Sequence, residues 1–232
     1  MGDVDLQKKI NSFLDSALQR FMVKDYDLAI RDLKAAEALD RHNPEIIYNL
    51  GVSYCRLGLY KTAVGYLQRV LDLPQAFVEE LSVKKMLAYS LIHTGETGLA
   101  LEYLDQVLTV SRTDCAALSM KGYCLEKQGM LEDAIRVYRD ILVIDRDCIN
   151  AKNSIAYLLA QEGGDLEEAL EYALEANRSD PDNPAYCDTL GYVYLLSGDT
   201  GSAKKYLEKA MAMSPFSEDV RDHVRMLSQI IK

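Results

Sequence analysis

Apolar residues along this chain return at helical rather than strand spacing. Ala29, Leu33 and Ala36 stand at i, i+4 and i+7, as do Ala203, Leu207 and Ala210, whereas a strand would alternate apolar and polar positions. A small residue sits inside an apolar stretch at Ala29, Ala63, Ala100, Ala134, Ala169 and Ala203, with gaps of 34, 37, 34, 35 and 34. A second small series, Ala17, Gly51, Ala88, Gly122, Ala156 and Gly191, runs twelve or thirteen residues ahead of the first. Each period therefore holds two helices, and the small residues let the paired axes approach closely. The three-residue excess falls between Ala63 and Ala88, and the one-residue excess lies at Gly163-Gly164. Turn glycines Gly58, Gly95, Gly129 and Gly198, with Gly163 or Gly164, end the first helix of each pair. Asn43-Pro44 and Asn183-Pro184 place an N-capping side chain and an N1 proline where the next pair begins.

These residues resemble the tetratricopeptide repeat (TPR) family, a helix-turn-helix pattern of roughly 34 residues. The resemblance is closest in Tyr48-Asn49-Leu50-Gly51-Val52-Ser53-Tyr54 and Thr189-Leu190-Gly191-Tyr192-Val193-Tyr194, with Gly58, Tyr60 and Ala63, or Gly198 and Ala203, following. Asp180-Pro181-Asp182-Asn183 and Ser214-Pro215 repeat the family's closing proline. The pattern departs at Arg20 and Lys24 in the first repeat, and at Lys84 and Lys152 in the third and fifth. The resemblance implies an all-α fold, a right-handed superhelical α-solenoid of six TPR helix pairs plus a C-terminal capping helix. The repeats run 10–43, 44–77, 81–114, 115–148, 149–183 and 184–217, with the cap over 217–231, in one domain spanning 1–232. Ser217, followed by Glu218 and Asp219, opens the cap, whose face carries Val220, Val224, Leu227 and Ile231.

Composition agrees with a helical design, since 5 prolines and 13 glycines in 232 residues leave few turn formers. The formal charge of -10 opposes nucleic acid and anionic lipid, because phosphate binding rests on unneutralised Lys and Arg. No apolar run reaches the roughly 18 residues of a membrane span. The N-terminus, Met1 to Leu6, carries no basic region followed by an apolar run, which favours the cytoplasm. A chain trimmed of its leader would look the same, so a periplasmic or envelope-associated placement is the alternative. Cys55, Cys115, Cys124, Cys148 and Cys187 form no CxxC pair and read as free, buried thiols of a reducing compartment.

Candidate chemistry is sparse. His42, His93 and His223 fall in different repeats, so no His-x-x-x-His metal pair arises, and His42 and His223 read as solvated surface residues. Gly163-Gly164-Asp165 precedes Leu166-Glu167-Glu168, whose acids would repel a phosphate at that helix start. The run Asp165, Glu167, Glu168, Glu171 and Glu175 reads as a solvated outer face. No catalytic, cofactor or metal residues are expected, and the chain is not expected to be an enzyme.

Binding is the expected chemistry. In stacked helix pairs the first helices line the concave side, where the resemblance implies a peptide groove. One residue after each first-helix small residue stand Leu18, Val52, Tyr89, Tyr123, Tyr157 and Tyr192, so four tyrosines fall in register. Tyrosine offers wide contact area with a hydroxyl for backbone groups, but these rings can equally pack between neighbouring helices. Leu14, Phe21, Met22, Tyr48 and Cys55 make the first two repeats apolar, while Lys85, His93, Ser119, Glu126, Lys127, Asn150, Asn153, Gln161 and Asp188 make the later ones polar. Leu195 and Leu196 restore an apolar patch at the far end. The apolar residues of the first repeats would anchor a protein or peptide partner, or serve self-association through end or groove surfaces. The paired Lys and Asn clamp of some chaperone-binding TPR proteins is missing, since Leu14, Leu18, Tyr48 and Val52 occupy the first such positions. The expected role is an adaptor or assembly scaffold. The alternative is an envelope protein of secretion or pilus assembly, similar in size to pilotin-type TPR lipoproteins.

Overall fold

The computed structural model describes residues 3–73 and 79–231. Among these residues all regular structure is α-helical. The order is α1 (Asp3–Met22), α2 (Tyr26–Glu37), α3 (Pro44–Arg56), α4 (Tyr60–Leu71), α5 (Glu80–Thr94), α6 (Thr97–Val110) and α7 (Cys115–Lys127). It continues through α8 (Leu131–Ile144), α9 (Ile149–Glu162), α10 (Leu166–Ser179), α11 (Pro184–Leu196), α12 (Thr200–Met213) and α13 (Glu218–Ile230). The chain forms two compact units, Met1–Cys124 and Leu125–Lys232, with the boundary inside α7. The longer connection placed between Ala63 and Ala88 includes residues 74–78, which lie outside the described residues.

Local chemistry accounts for where the helices start. Asn43 Oδ1 accepts hydrogen bonds from the backbone N–H groups of Glu45 at 3.0 Å and Ile46 at 3.2 Å, and Pro44 supplies a φ already suited to the first turn. Asn183 does the same for α11 through Ala185 at 3.0 Å and Tyr186 at 3.4 Å. Asp165 Oδ1 caps α10, and Ser217 Oγ accepts from Val220 at the start of α13. The turn after each first helix needs a left-handed residue, and Gly163 rather than Gly164 fills that place in the fifth repeat, at φ +70°. In the first repeat the place is held by Lys24, at φ +62°, a conformation that costs a side-chain-bearing residue roughly 1 kcal/mol.

The first unit is packed around two clusters. One joins Ile10, Ala17, Ala29, Leu33, Ala36, Ile46 and Leu50, with Phe13, Leu14 and Phe21 packed against it. The other includes Ile47, Leu67, Val83, Leu87, Leu91, Leu104 and Cys124. Each buried Leu or Ile of this kind contributes on the order of 1.5–3 kcal/mol. The small-residue series does what its spacing implies: a Cβ on Gly51 would stand 2.9 Å from Leu67 Cγ and Cδ2, and one on Gly191 in the second unit 2.7 Å from Leu207 Cγ. Arg20, at the first repeat's departure from the tyrosine signature, bonds through Nε to Asp32 Oδ2 at 2.7 Å, and Ser16 donates to the same oxygen.

In the second unit α13 packs on α11 and α12. Val220 and Leu227 are buried there as expected, Val224 is half-buried, and Ile231, just past the helix, is exposed. His223 was expected on the surface and is instead 6% exposed, because it stands one turn from both Val220 and Leu227 on the face that docks. The acidic run is also not wholly solvated, since Glu168 pairs with Arg139 at 2.8 Å and Glu175 with Lys152. Of the cysteines, Cys55, Cys124 and Cys187 are buried, while Cys115 and Cys148, at first-helix starts, are only half-buried. Burial pushes the Cys124 thiol up to about 11.

Candidate functional site: concave clefts of the first helices

Two of the first unit's concavities share Tyr48. The smaller, of about 140 Å³, is walled by Leu14, Leu18 and Phe21 of α1 and by Tyr48, Val52 and Ser53 of α3. Thus five of the expected groove residues meet in one apolar cleft. Met22, also expected there, lies outside it and is 75% exposed at the end of α1. Ser53, in the wall of this cleft, is buried, and among the described residues its Oγ has no hydrogen-bond partner.

The larger concavity, of about 620 Å³, is lined by Tyr48, Arg56, Tyr60, Lys85, Met86, Tyr89 and Met120, among others. Tyr89 makes an edge contact with Tyr60, centroids 6.1 Å apart, and His93 stacks on Tyr60 at 4.2 Å. Burial, then a hydrogen bond with Tyr60, raises the Tyr89 phenol above its ordinary value. Lys85 spends its charge within the fold: Nζ is 2.7 Å from Asp114 Oδ2, and Asp114 also caps α7 by accepting from Ala117 N–H. Tyr123, the other tyrosine of the series in this unit, is 40% exposed, as is Tyr89. Cys55 is buried beside Ser90 and offers little surface to a ligand.

The second unit has a concavity of about 280 Å³ with a different lining. Asn153, Ser154 and Tyr157 of α9, Asp188 and Thr189 of α11, Glu126, and Ser217 and Asp219 of the cap surround it. Burial raises the Glu126 carboxyl, Lys127 opposes that, and the charge of Asp219 adds to it. Burial, followed by the charges of Asp219 and Glu126, raises the Tyr157 phenol as well. Tyr192 does not project freely: the His223 ring stacks on it at 4.1 Å and 14°, while Tyr157 lies tilted at 5.9 Å. His223 Nδ1 is 2.9 and 3.0 Å from the two carboxylate oxygens of Asp188. Leu195 is buried, so the apolar patch expected at that end is reduced to Leu196.

Sequence reasoning missed Tyr60, Arg56, Asp219 and His223 as parts of these sites. Tyr60 stands among the family's signature residues, and its place at the start of α4, just after the Gly58 turn, is the signal that it faces the first helices. Asp219 and His223 belong to the unpaired last helix, where no repeat register marks which face is turned inward.

The clefts are built from first helices of stacked, antiparallel helix pairs, which defines a helical-repeat protein. The profile of the tetratricopeptide repeat family matches residues 23–76, 85–147 and 184–217, well over half the chain. This chain belongs to the tetratricopeptide repeat family. The profile begins at residue 23, after the helix with Arg20, and omits the fifth repeat with Lys152, where the signature departs although α9 and α10 form.

The chain is 25% identical over 190 residues to the TPR repeat-containing protein YpiA of Bacillus subtilis, covering 82% of this chain and 44% of that protein. It is 26% identical over 131 residues to the TPR repeat-containing protein PA4667 of Pseudomonas aeruginosa, covering 56% of this chain and 22% of that protein. The chain thus spans less than half the length of these relatives. Among solved structures it resembles a tetratricopeptide repeat protein from Parabacteroides merdae, with a TM-score of 0.80 and 17% identity over 96% of this chain and 87% of that one. It also resembles PilW, a type IV pilus biogenesis factor, with a TM-score of 0.75 and 18% identity over 97% of this chain and 100% of that one. YrrB, a TPR protein with an unusual peptide-binding site, gives a TM-score of 0.64 and 23% identity over 78% of this chain and 95% of that one. These likenesses establish the fold. A fold of this family supports a protein–protein interaction module, and among the described residues no helix is long and apolar enough to cross a membrane.

Proposed function

We propose that this chain is an adaptor or assembly scaffold that holds a peptide segment of a partner protein against its first helices. The observation that carries the reading is the pair of concavities sharing Tyr48 in the first unit. There an apolar cleft of Leu14, Leu18, Phe21 and Val52 adjoins a larger one with Tyr60, Tyr89 and Arg56. A segment with apolar anchors in the first and a hydrogen-bonding or acidic group beside Tyr89 and Arg56 suits this lining.

The test pairs binding with stability. Proteins captured from the native cell on the immobilised chain are identified by mass spectrometry, and the binding segment is delimited with synthetic peptides. Val52→Ala and Tyr89→Ala should each weaken the delimited peptide by about 1–3 kcal/mol with little change in a denaturant melt. Loss of about 3 kcal/mol of stability, with binding lost only as the fold fails, would make these residues packing elements and sink the reading.

The likeness to PilW, and to PilF of Pseudomonas aeruginosa with a TM-score of 0.74, supports a second reading in which the scaffold acts at the cell envelope rather than in the cytoplasm. Fractionation of cells expressing the tagged native gene separates the two. Recovery with the cytosolic fraction alone would remove the envelope reading.

A further inference from the structure

The second unit's concavity differs in kind from those of the first. Glu126, Asp188 and Asp219 bring three carboxyl groups to one space of about 280 Å³, with hydroxyls from Ser154, Thr189, Ser214 and Ser217 between them. Among the described residues no lysine or arginine stands in its wall. The charges already have some compensation from outside that wall: Lys127 Nζ is 3.6 Å from Glu126, and His223 faces Asp188. Among the described residues Asp219 has no such cation, and its charge is felt by both Glu126 and Tyr157. Asn153 adds an independent sign of an unmet partner. Among the described residues its carbonyl oxygen is shut off from water and accepts no hydrogen bond, an arrangement that carries an uncompensated desolvation cost. A donor entering the concavity and drawing that amide round would recover the cost.

A metal ion is not the occupant this geometry favours. Among the described residues no three His, Cys, Asp or Glu side chains stand close enough together to share one. Carboxylates spread around a wide space suit an extended cation with several N–H donors, able to reach more than one of them. Tyr157 supplies an aromatic wall that such a cation can lie against.

We propose that this concavity, walled by Glu126, Asn153, Tyr157, Asp188 and Asp219, receives a lysine or arginine side chain of the partner segment. The proposal rests on the peptide-binding reading above and adds the class of residue recognised. It gives the partner a basic position opposite an acidic wall, in a chain of net charge -10.

The test uses the full chain and pools of short fluorescent peptides, random except at one central position. That position is Lys, Arg, norleucine or Glu, and binding is read by polarisation at about 50 mM salt, where charge pairing is weakly screened. Lys and Arg pools should bind about tenfold more tightly than the norleucine pool, which matches lysine in length without its charge. The double variant Glu126→Gln/Asp219→Asn should reduce that preference to about twofold or less. Both replacements keep side-chain size, and a thermal melt verifies the fold. A control with the same change in net charge, Glu167→Gln/Glu171→Gln, removes acids exposed on α10 and should leave the preference intact. Equal binding of Lys and norleucine pools, or a preference that survives in the first double variant or disappears equally in the control, overturns the inference while peptide binding stands. Failure of every pool to bind overturns both.

Discussion

Gly51 and Gly65 are interior to neighbouring helices of one pair, so replacing each by alanine offers a matched comparison. In a helix interior Gly→Ala contributes about 1 kcal/mol of propensity, and this gain is common to both sites. Gly65 is exposed, and a Cβ there meets nothing within 4 Å, so Gly65→Ala should stabilise the chain by nearly the whole amount. At Gly51 the added methyl falls 2.9 Å from Cγ and Cδ2 of Leu67 and 3.4 Å from Cβ of Tyr66. Leu67 is wholly buried and cannot swing aside, so the helices must separate slightly or Leu67 must leave its rotamer. Such overpacking costs about 1–3 kcal/mol, which makes Gly51→Ala neutral to destabilising by about 2 kcal/mol. The difference between the two variants, about 1–3 kcal/mol, is the quantity of interest because the propensity gain cancels. Urea unfolding followed by far-ultraviolet circular dichroism reads it as a shift in midpoint at constant slope. If Gly51→Ala proves as stabilising as Gly65→Ala, the small-residue series does not mark close helix approach, and the packing account of the repeat fails.

The left-handed Lys24 predicts that Lys24→Gly stabilises the chain by about 1 kcal/mol, whereas Gly58→Ala, at φ +75°, destabilises it by a similar amount; urea midpoints check both. Asp114 is opposed by burial, but the Lys85 hydrogen bond and the N-cap contact prevail and hold its carboxyl below the ordinary value of 3.8. Its contribution is therefore complete above the ordinary aspartate range and is lost as pH falls through the lower folded value. Asp114→Asn keeps the cap and removes the ion pair, so it should cost about 1 kcal/mol or less at pH 6 and progressively less as pH falls below the ordinary aspartate range, measured by paired urea melts. Ending the chain after Phe216 removes Val220, Val224 and Leu227 from the buried faces of Cys187, Leu195, Leu207 and Ala210. The shortened chain should melt lower and scatter as a larger species, and a monomer of unchanged stability would deny α13 its capping role.

The fold was legible because its information is periodic. Two series of small residues, turn glycines and Asn-Pro starts recur together, and each has a local physical reason that holds wherever the register repeats. The departures were legible as departures but not in their remedies. Nothing in the spacing pairs Arg20 with Asp32, twelve residues on, or shows that the turn accepts Lys24 in a glycine conformation. Lys85 could be placed on the groove side from its register, but not its commitment to Asp114, which depends on the turn between α6 and α7. The cap was least legible: it occurs once, so its apolar stripe located Val220 and Leu227 while the polar His223 between them was read outward.

That last case bears on what a register of tyrosines can mean. Tyr89 and Tyr192 both follow the small residue of a first helix, yet their neighbourhoods diverge. Tyr89 remains 40% exposed beside Tyr60 and His93, in a concavity wide enough for a guest side chain. Tyr192 is covered by the stacked ring of His223, held there by the Asp188 carboxylate. Position in the repeat sets the direction of the side chain, but the residue presented by the next element decides whether its face is available. In the second unit the cap helix takes the Tyr192 face and contributes Asp219 to the wall beside Tyr157, so an apolar concave surface is exchanged for a charged one. If the second unit holds peptides as proposed, α13 sets specificity as well as covering the neighbouring helices, and changing residue 219, in the wall rather than in the packing, should alter which peptides are accepted before it alters whether the chain folds.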